Sequence, residues 1–360
     1  MSDLDRLSEQ TARQMLAFSS KLARGARHLA AANIEHDGCT PFDEVFTFEG
    51  TRLRRYVSNQ PRQEHPPLLI VYALVNRPYM LDLEPERSFL RGLLAAGRTL
   101  YLVDWGYPGP EARERSLDDY AVHHLGQCIE HVLAAHDGNP LDMLGVCQGG
   151  TFSLCQAALH PERIRRLTLL VTPVDFATPD FLLARWLRHV DVKAMVDRLG
   201  NVPGELLNGA FVALKPLTLS GLKALELIEL MDRPGELHTF ARMEQWIQDS
   251  PDQAGRAFLE FATAFIDDNA LVNDTLTLAG KPVRLAHVAC PVLNIFAKRD
   301  HIVPPASSRA LASLLPRALY TESAFEGGHI GLFASRASHQ RVPAAINDWL
   351  DGNSHPAQPR

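Results

Sequence analysis

Leu141-Asp142-Met143-Leu144-Gly145-Val146-Cys147-Gln148-Gly149-Gly150-Thr151-Phe152 is the stretch from which the fold of this chain is read. Residues 141–146 have the apolar character of a short buried strand. Residues 148–159 carry Phe152, Cys155, Ala158 and Leu159 at helical spacing, and His160-Pro161 ends the helix. Between them, Gly145-Val146-Cys147-Gln148-Gly149 has the Gly-x-nucleophile-x-Gly form of a sharp strand-to-helix turn that holds a nucleophile exposed above a sheet. Its glycines are expected where any side chain would collide with the turn. Cysteine stands where serine is usual, at a helix N-terminus whose dipole favours a thiolate. By itself the pentapeptide also fits a buried structural cysteine beside a tight turn.

Outward from this turn, strands and helices alternate. Strands are expected at 68–74, 99–103 and 167–171, and helices at 84–96 and 117–135, after a hairpin of 45–48 with 53–57. This alternation predicts a parallel sheet covered on both faces. It stops near Asp175, and the pattern to about Asp274 is helical. The sheet then resumes with a strand at 292–296, a helix at 306–315, a strand at 319–321 and a last helix at 342–350. The expected organisation is an α/β-hydrolase fold with a mostly parallel sheet and an inserted helical cap. Residues 41–175 and 284–352 form the core, 176–283 the cap, 1–40 an N-terminal amphipathic helical segment and 353–360 a disordered tail. The N-terminal helix carries Leu4, Leu7, Met15, Phe18, Leu22 and Leu29 as an apolar stripe, read as docked on the domain or as a docking face for a partner.

The 360 residues are 46% hydrophobic and 22% charged, as in an ordinary globular protein with room for a large core. A net charge of −6 argues against nucleic-acid binding. Residues 1–10 are acidic and polar, unlike a secretory leader, and the longest apolar run, 68–75, is too short to span a bilayer. The five cysteines, Cys39, Cys128, Cys147, Cys155 and Cys290, are scattered, which reads as reduced and cytoplasmic, and no pair has metal-ligand spacing. Cys128 and Cys155 lie on apolar helix faces and read as packing residues.

A cysteine nucleophile needs a base, and the base an orienting group. Folds built on such turns carry them in the order nucleophile, acid, histidine. Asp300 follows the strand 292–296, at a carboxyl end where ligands bind in open sheets. His329 sits in Gly327-Gly328-His329-Ile330-Gly331 after the next strand. Asp300 alone also suits a cap or turn, and His301 is a rival base that ranks lower because consecutive loop residues seldom point the same way. His123, His124, His131 and His136 are read as surface residues of one helix. An oxyanion hole would take the Gln148 N–H and that of Val75 or Asn76, in the loop after the strand 68–74.

With these residues in place, the chain resembles the polyhydroxyalkanoate synthases. Gly145-Val146-Cys147-Gln148-Gly149-Gly150 is similar to their variant lipase box. Asp104-Trp105-Gly106-Tyr107-Pro108, the run from Val75 to Asp82, and Gly327-Gly328-His329-Ile330-Gly331 are similar to further family blocks. The resemblance covers about 40–350. Without the long N-terminal extension of classes I and II, and with Gln148 where class IV usually has methionine, the chain looks like the class III catalytic subunit. The resemblance implies (R)-3-hydroxyacyl-CoA as substrate, a polyester and free CoA as products, and no cofactor, since coenzyme A arrives with the substrate and leaves. It implies Cys147 as nucleophile, His329 as base and Asp300 as acid. A companion subunit, a homo- or hetero-oligomer and a place at the surface of cytoplasmic storage granules are implied too. The alternatives are a cysteine hydrolase of the dienelactone-hydrolase or thioesterase type, which would release free acid, and a granule protein with a vestigial site.

Overall fold

Leu68, Leu69, Ile70 and Val71 have no exposed surface at all, and a strand buried on both faces needs a cover on each side. The computed structural model describes residues 3–31, 37–62, 65–216 and 223–352 and shows that cover. Leu69 and Val71 point into one apolar layer with Tyr101, Val103, Ile129 and Phe152, while Leu68 and Ile70 join Phe89, Leu93 and Ile346 in the other. Each such buried side chain contributes about 1.5–3 kcal/mol relative to exposure.

The chain begins with helix α1 (Asp3–Ala31). A hairpin of β1 (Asp43–Phe48) and β2 (Thr51–Val57) leads to β3 (Leu68–Val71), α2 (Phe89–Leu94), β4 (Thr99–Asp104), α3 (Leu125–Ala135), β5 (Leu141–Val146), α4 (Gln148–Leu159) and β6 (Ile164–Leu170). Six helices follow: α5 (Leu182–Leu187), α6 (Val192–Leu199), α7 (Gly204–Leu214), α8 (Lys223–Leu230), α9 (Pro234–Gln248) and α10 (Gly255–Phe261). A small ribbon of β7 (Thr277–Leu278) and β8 (Lys281–Pro282) precedes β9 (Val292–Ala297), α11 (Pro305–Arg309), β10 (Tyr320–Phe325), α12 (Gly331–Ala334) and α13 (Ser338–Leu350). The main sheet has eight strands in the order β1-β2-β4-β3-β5-β6-β9-β10. Only the pairs β1–β2 and β2–β4 are antiparallel. Six parallel strands therefore send their carboxyl ends, and the loops after them, to one edge.

Several expectations need correction. The expected strand 68–74 leaves the sheet after Val71, so residues 72–77 form a loop. His124 is not a surface residue: it is 1% exposed, and its Nδ1 lies 2.7 Å from the Thr51 hydroxyl. It is the last residue of a π-helical turn over Asp119–His124, packed against Tyr120 and Phe48. His131 is half-buried and stacks on Phe46, and His136, also half-buried, meets the Tyr101 hydroxyl at 3.1 Å, leaving His123 as the exposed member.

The stripe on α1 divides. Leu22 and Leu29 pack against Leu230, Met231 and Leu237 of the helical insertion, and Arg24 pairs with Asp232 at 2.7 Å. Met15 and Phe18 remain 68% and 49% exposed. The tail 353–360 lies outside the described residues. Among the described residues, no helix is long and apolar enough to cross a membrane.

Candidate active site

Cys147 occupies the turn between β5 and α4 with φ +53° and ψ −125°, a conformation that non-glycine residues adopt only when their surroundings enforce it. The enforcement is visible. The Cys147 N–H donates to the Leu170 carbonyl at 2.9 Å, and its own carbonyl accepts from the Gly150 N–H at 2.9 Å. A Cβ on Gly149 would stand 2.2 Å from the Val71 carbonyl oxygen, and one on Gly145 would stand 2.4 Å from the Gly150 Cα. The two glycines thus let α4 start against β3 and β5, as the sequence predicts.

At the other four cysteines burial disfavours the thiolate. Burial pushes Cys128 and Cys155 up to about 12 and Cys290 to about 11. Burial, aided by the neighbouring Asp82 carboxylate, raises Cys39 to about 12.

Asp300 follows β9 and His329 follows β10, and the loops that carry them are laced together. The Lys298 N–H donates to the Phe325 carbonyl and the Arg299 N–H to the Gly327 carbonyl, each at 2.9 Å. Gly327, at φ +121°, makes the bend this needs. His329 Nδ1 then lies 2.7 Å from Asp300 Oδ2. The other carboxylate oxygen of Asp300 accepts the Ile302 and Val303 N–H groups, each at 2.9 Å. The turn role and the histidine contact, alternatives at the level of sequence, are filled together by the two oxygens of one side chain. His301 lines the same cavity but has no bond to Cys147, and burial together with Lys215 lowers its pKa.

With Nδ1 turned to a carboxylate, the remaining His329 nitrogen, Nε2, is the one left for Cys147. His329 is 5% exposed. Burial alone would push its pKa down, but the Asp300 carboxylate, the electrostatic interaction with Cys147 and hydrogen bonds to both outweigh burial and raise it to about 10. A pKa raised from 6.5 adds stability that is fully present below pH 6.5 and is lost as pH rises through about 10. In Cys147→Ala one of the two side chains that raise the His329 pKa is gone. The His329 pKa is expected to fall in an NMR titration, and an unchanged value would show that Cys147 does not contribute to it.

The loop 72–77 faces the turn from β3. The Leu74 N–H donates to Gln148 Oε1 at 3.2 Å, so the side chain of the first α4 residue holds this loop. Val75 and Asn76 line the cavity beside Cys147 and Gln148, and Asn76 has φ +60°. Behind them, fully buried Asp104 gathers Arg54 (2.7 Å), Arg77 (2.8 Å) and Arg52 (2.8 Å). Burial works to raise the Asp104 pKa, but Arg77 and Arg54 more than offset this and hold it below the usual carboxylate range. Arg77 also donates to the Gly106 carbonyl at 2.9 Å, and Trp105 Nε1 to the Tyr72 carbonyl at 2.9 Å. The sequence blocks around Val75 and Asp104 are therefore one interlocked scaffold.

The loop edge and the helical insertion line a cavity of about 1070 Å³ that is open on one side. Cys147, Gln148 and His329 open onto it, and Tyr72, Phe176, Trp186, Leu187, Phe258 and Phe261 give it an apolar wall. Among the described residues, no cluster of histidine, cysteine or carboxylate side chains is arranged to hold a metal ion. Two wall residues escaped the sequence reading. Tyr72 lay inside an expected strand, and Gln253 lay in a helical stretch without a motif. Neither has a local signal.

A family model for the alpha/beta hydrolase fold matches residues 66–335. The chain is 45% identical over 353 residues to the "Poly(3-hydroxyalkanoate) polymerase subunit PhaC" of Allochromatium vinosum, covering 98% of this chain and 99% of that one. It is 43% identical to the subunit of the same name from Thiocystis violacea, covering 98% and 100%. Among solved structures, an esterase from Thermogutta terrifontis superimposes with a TM-score of 0.54 at 18% identity, covering 88% of this chain and 100% of that one, a likeness of fold alone. The chain belongs to the poly(3-hydroxyalkanoate) polymerase family of acyltransferases, on an α/β-hydrolase fold.

Proposed function

We propose that this chain polymerises (R)-3-hydroxyacyl-CoA, with 3-hydroxybutyryl-CoA the expected substrate, into polyhydroxyalkanoate with release of CoA, through an acyl-thioester on Cys147. The observation that carries this reading is that Cys147 and His329 open onto one apolar cavity of about 1070 Å³, with Asp300 behind His329 on its Nδ1. The Cys147 thiolate attacks the thioester carbonyl, and the tetrahedral oxyanion is received by the N–H groups of Gln148 and of Val75 or Asn76. The C–S bond to CoA breaks, and the CoA thiolate takes the proton held on His329. One thioester has replaced another, so loading is nearly balanced in energy. A hydroxyl of the growing chain or of a second substrate then gives its proton to His329 Nε2 and attacks the acyl group. An ester C–O bond forms and Cys147 leaves as thiolate. Asp300 keeps the imidazole in the tautomer that serves both steps.

Water competes with the hydroxyl, and an apolar wall that excludes it favours polymer over free acid. The similarity to the Allochromatium and Thiocystis subunits supports the class III assignment, and with it a companion subunit and a place at the surface of cytoplasmic polyester granules. The test is to incubate the chain with its companion subunit and 3-hydroxybutyryl-CoA, and to measure CoA release and insoluble polyester together. Equivalent CoA and polyester are expected. Soluble hydroxyacid as the only product would overturn the synthase reading in favour of a cysteine hydrolase.

A further inference from the structure

Leu74 is held from two sides. Its N–H is taken by Gln148 of α4, and its carbonyl accepts from Gln253 Nε2 at 3.1 Å. Gln253 belongs to the helical insertion, between α9 and α10, and is 6% exposed. The same nitrogen donates to the Pro251 carbonyl, also at 3.1 Å. Both partners are carbonyl acceptors, so it is the NH2 end of the amide that faces them. The backbone of Gln253 is fixed in turn: its N–H donates to the Val202 carbonyl at 2.8 Å, and its carbonyl accepts from the Val202 N–H at 2.9 Å. Nearby, the Ser250 hydroxyl donates to Asn76 Oδ1 at 3.1 Å. The segment 250–253 of the insertion thus reaches the loop 72–77 twice.

We propose that Gln253 is a positioning residue of the oxyanion hole, and that it acts by setting the direction of the Val75 N–H. The proposal rests on the reading of Cys147 as nucleophile and Val75 as donor. In a trans peptide the carbonyl of one residue and the N–H of the next point in opposite directions. Because the Leu74 carbonyl is turned toward Gln253, the Val75 N–H is turned to the opposite side. Without the amide donor, the Leu74–Val75 peptide is free to rotate next to Asn76, whose left-handed backbone relies on enforcement by its neighbours. A donor contributes to catalysis only when its direction is fixed before charge develops. Loading of Cys147 is therefore tied to the seating of the insertion: the hole is complete when residues 250–253 are down on the loop, and loses its alignment when they lift.

The test uses the full chain with Gln253→Met, which keeps the length and removes the donor, and Gln253→Glu, which can donate to a carbonyl only when protonated. Two reactions of Cys147 are followed. Acylation by p-nitrophenyl acetate passes through a tetrahedral oxyanion, whereas alkylation by iodoacetamide displaces iodide and develops none. In Gln253→Met the acylation kcat is expected to fall about 10- to 100-fold with KM unchanged, because the lost interaction exists only in the transition state. Alkylation should stay within about two-fold of the unsubstituted chain. The acylation rate of Gln253→Glu relative to the unsubstituted chain should recover as pH falls and the new carboxyl gains its proton. Unchanged acylation in Gln253→Met would overturn the proposal. So would a fall in alkylation that matches the fall in acylation, since Gln253 would then only support the Cys147–His329 pair. The nitrophenyl ester separates this outcome from the substrate question: if hydroxybutyryl-CoA yields only free acid, the synthase reading fails while the Gln253 result stands. No acylation of the unsubstituted chain by either compound would overturn both.

Discussion

Cys147→Ala is expected to abolish both CoA release and polyester formation from 3-hydroxybutyryl-CoA, a fall on the order of 10⁴-fold or more, as for loss of a covalent nucleophile. Alanine isolates the chemistry. It carries the same Cβ as cysteine, so the strain at φ +53° is unchanged, and the backbone bonds to Leu170 and Gly150 are kept. Only Sγ is lost from a half-buried position. Thermal unfolding should therefore shift little while turnover disappears. A variant that retains more than about one hundredth of the CoA-release rate would require a different group to accept the acyl chain. Mass spectrometry of the unsubstituted chain during turnover supplies the positive counterpart, an acyl adduct on the peptide that contains Cys147 and on no other cysteine peptide. The deep burial of Cys128 and Cys155 makes them unsuitable competitors.

Asp300→Asn carries the second large effect. The carboxylate accepts from His329 with one oxygen and from the Ile302 and Val303 N–H groups with the other. Asparagine can keep the two loop bonds through its carbonyl oxygen, which leaves its NH2 group facing His329 Nδ1. That nitrogen must then accept, and the proton of the neutral ring moves to Nε2, so the base offers Cys147 a donor where an acceptor is needed. A fall of about 10³- to 10⁴-fold in CoA release is expected, with the fold intact. The His329 pKa should also drop, because one of the charges that raise it is gone. A loss of no more than about ten-fold would show that Asp300 merely shapes the loop.

The elbow and its partners were legible because their signals are local. A glycine-flanked cysteine between an apolar strand and an amphipathic helix is defined by some twenty consecutive residues, and the order Cys147, Asp300, His329 follows from the connectivity of parallel strands. The sequence did not decide between the turn role and the histidine contact of Asp300, since the loops bearing Asp300 and His329 meet only through the pairing of β9 with β10.

Other readings failed where distant segments overrode a local pattern. Residues 72–74 continue the apolar run of β3, yet they leave the sheet because Gln148, Gln253 and Trp105 claim their backbone groups. His124 sits in a helical pattern that looked exposed, but it ends a π-turn and meets Thr51 of the hairpin, far away in the chain. The stripe on α1 is continuous in sequence, whereas the insertion covers only its later part.

What the sequence determined by itself is the parallel sheet, the elbow and the candidate trio Cys147, Asp300 and His329, all of which rest on periodicity, glycine placement and chain order. The direction of the Val75 N–H, the meeting of His329 with Asp300 and Cys147, and the apolar wall around them were decided by the tertiary structure alone. Each depends on the burial and orientation of groups far apart in the chain, and no spacing along the chain encodes either.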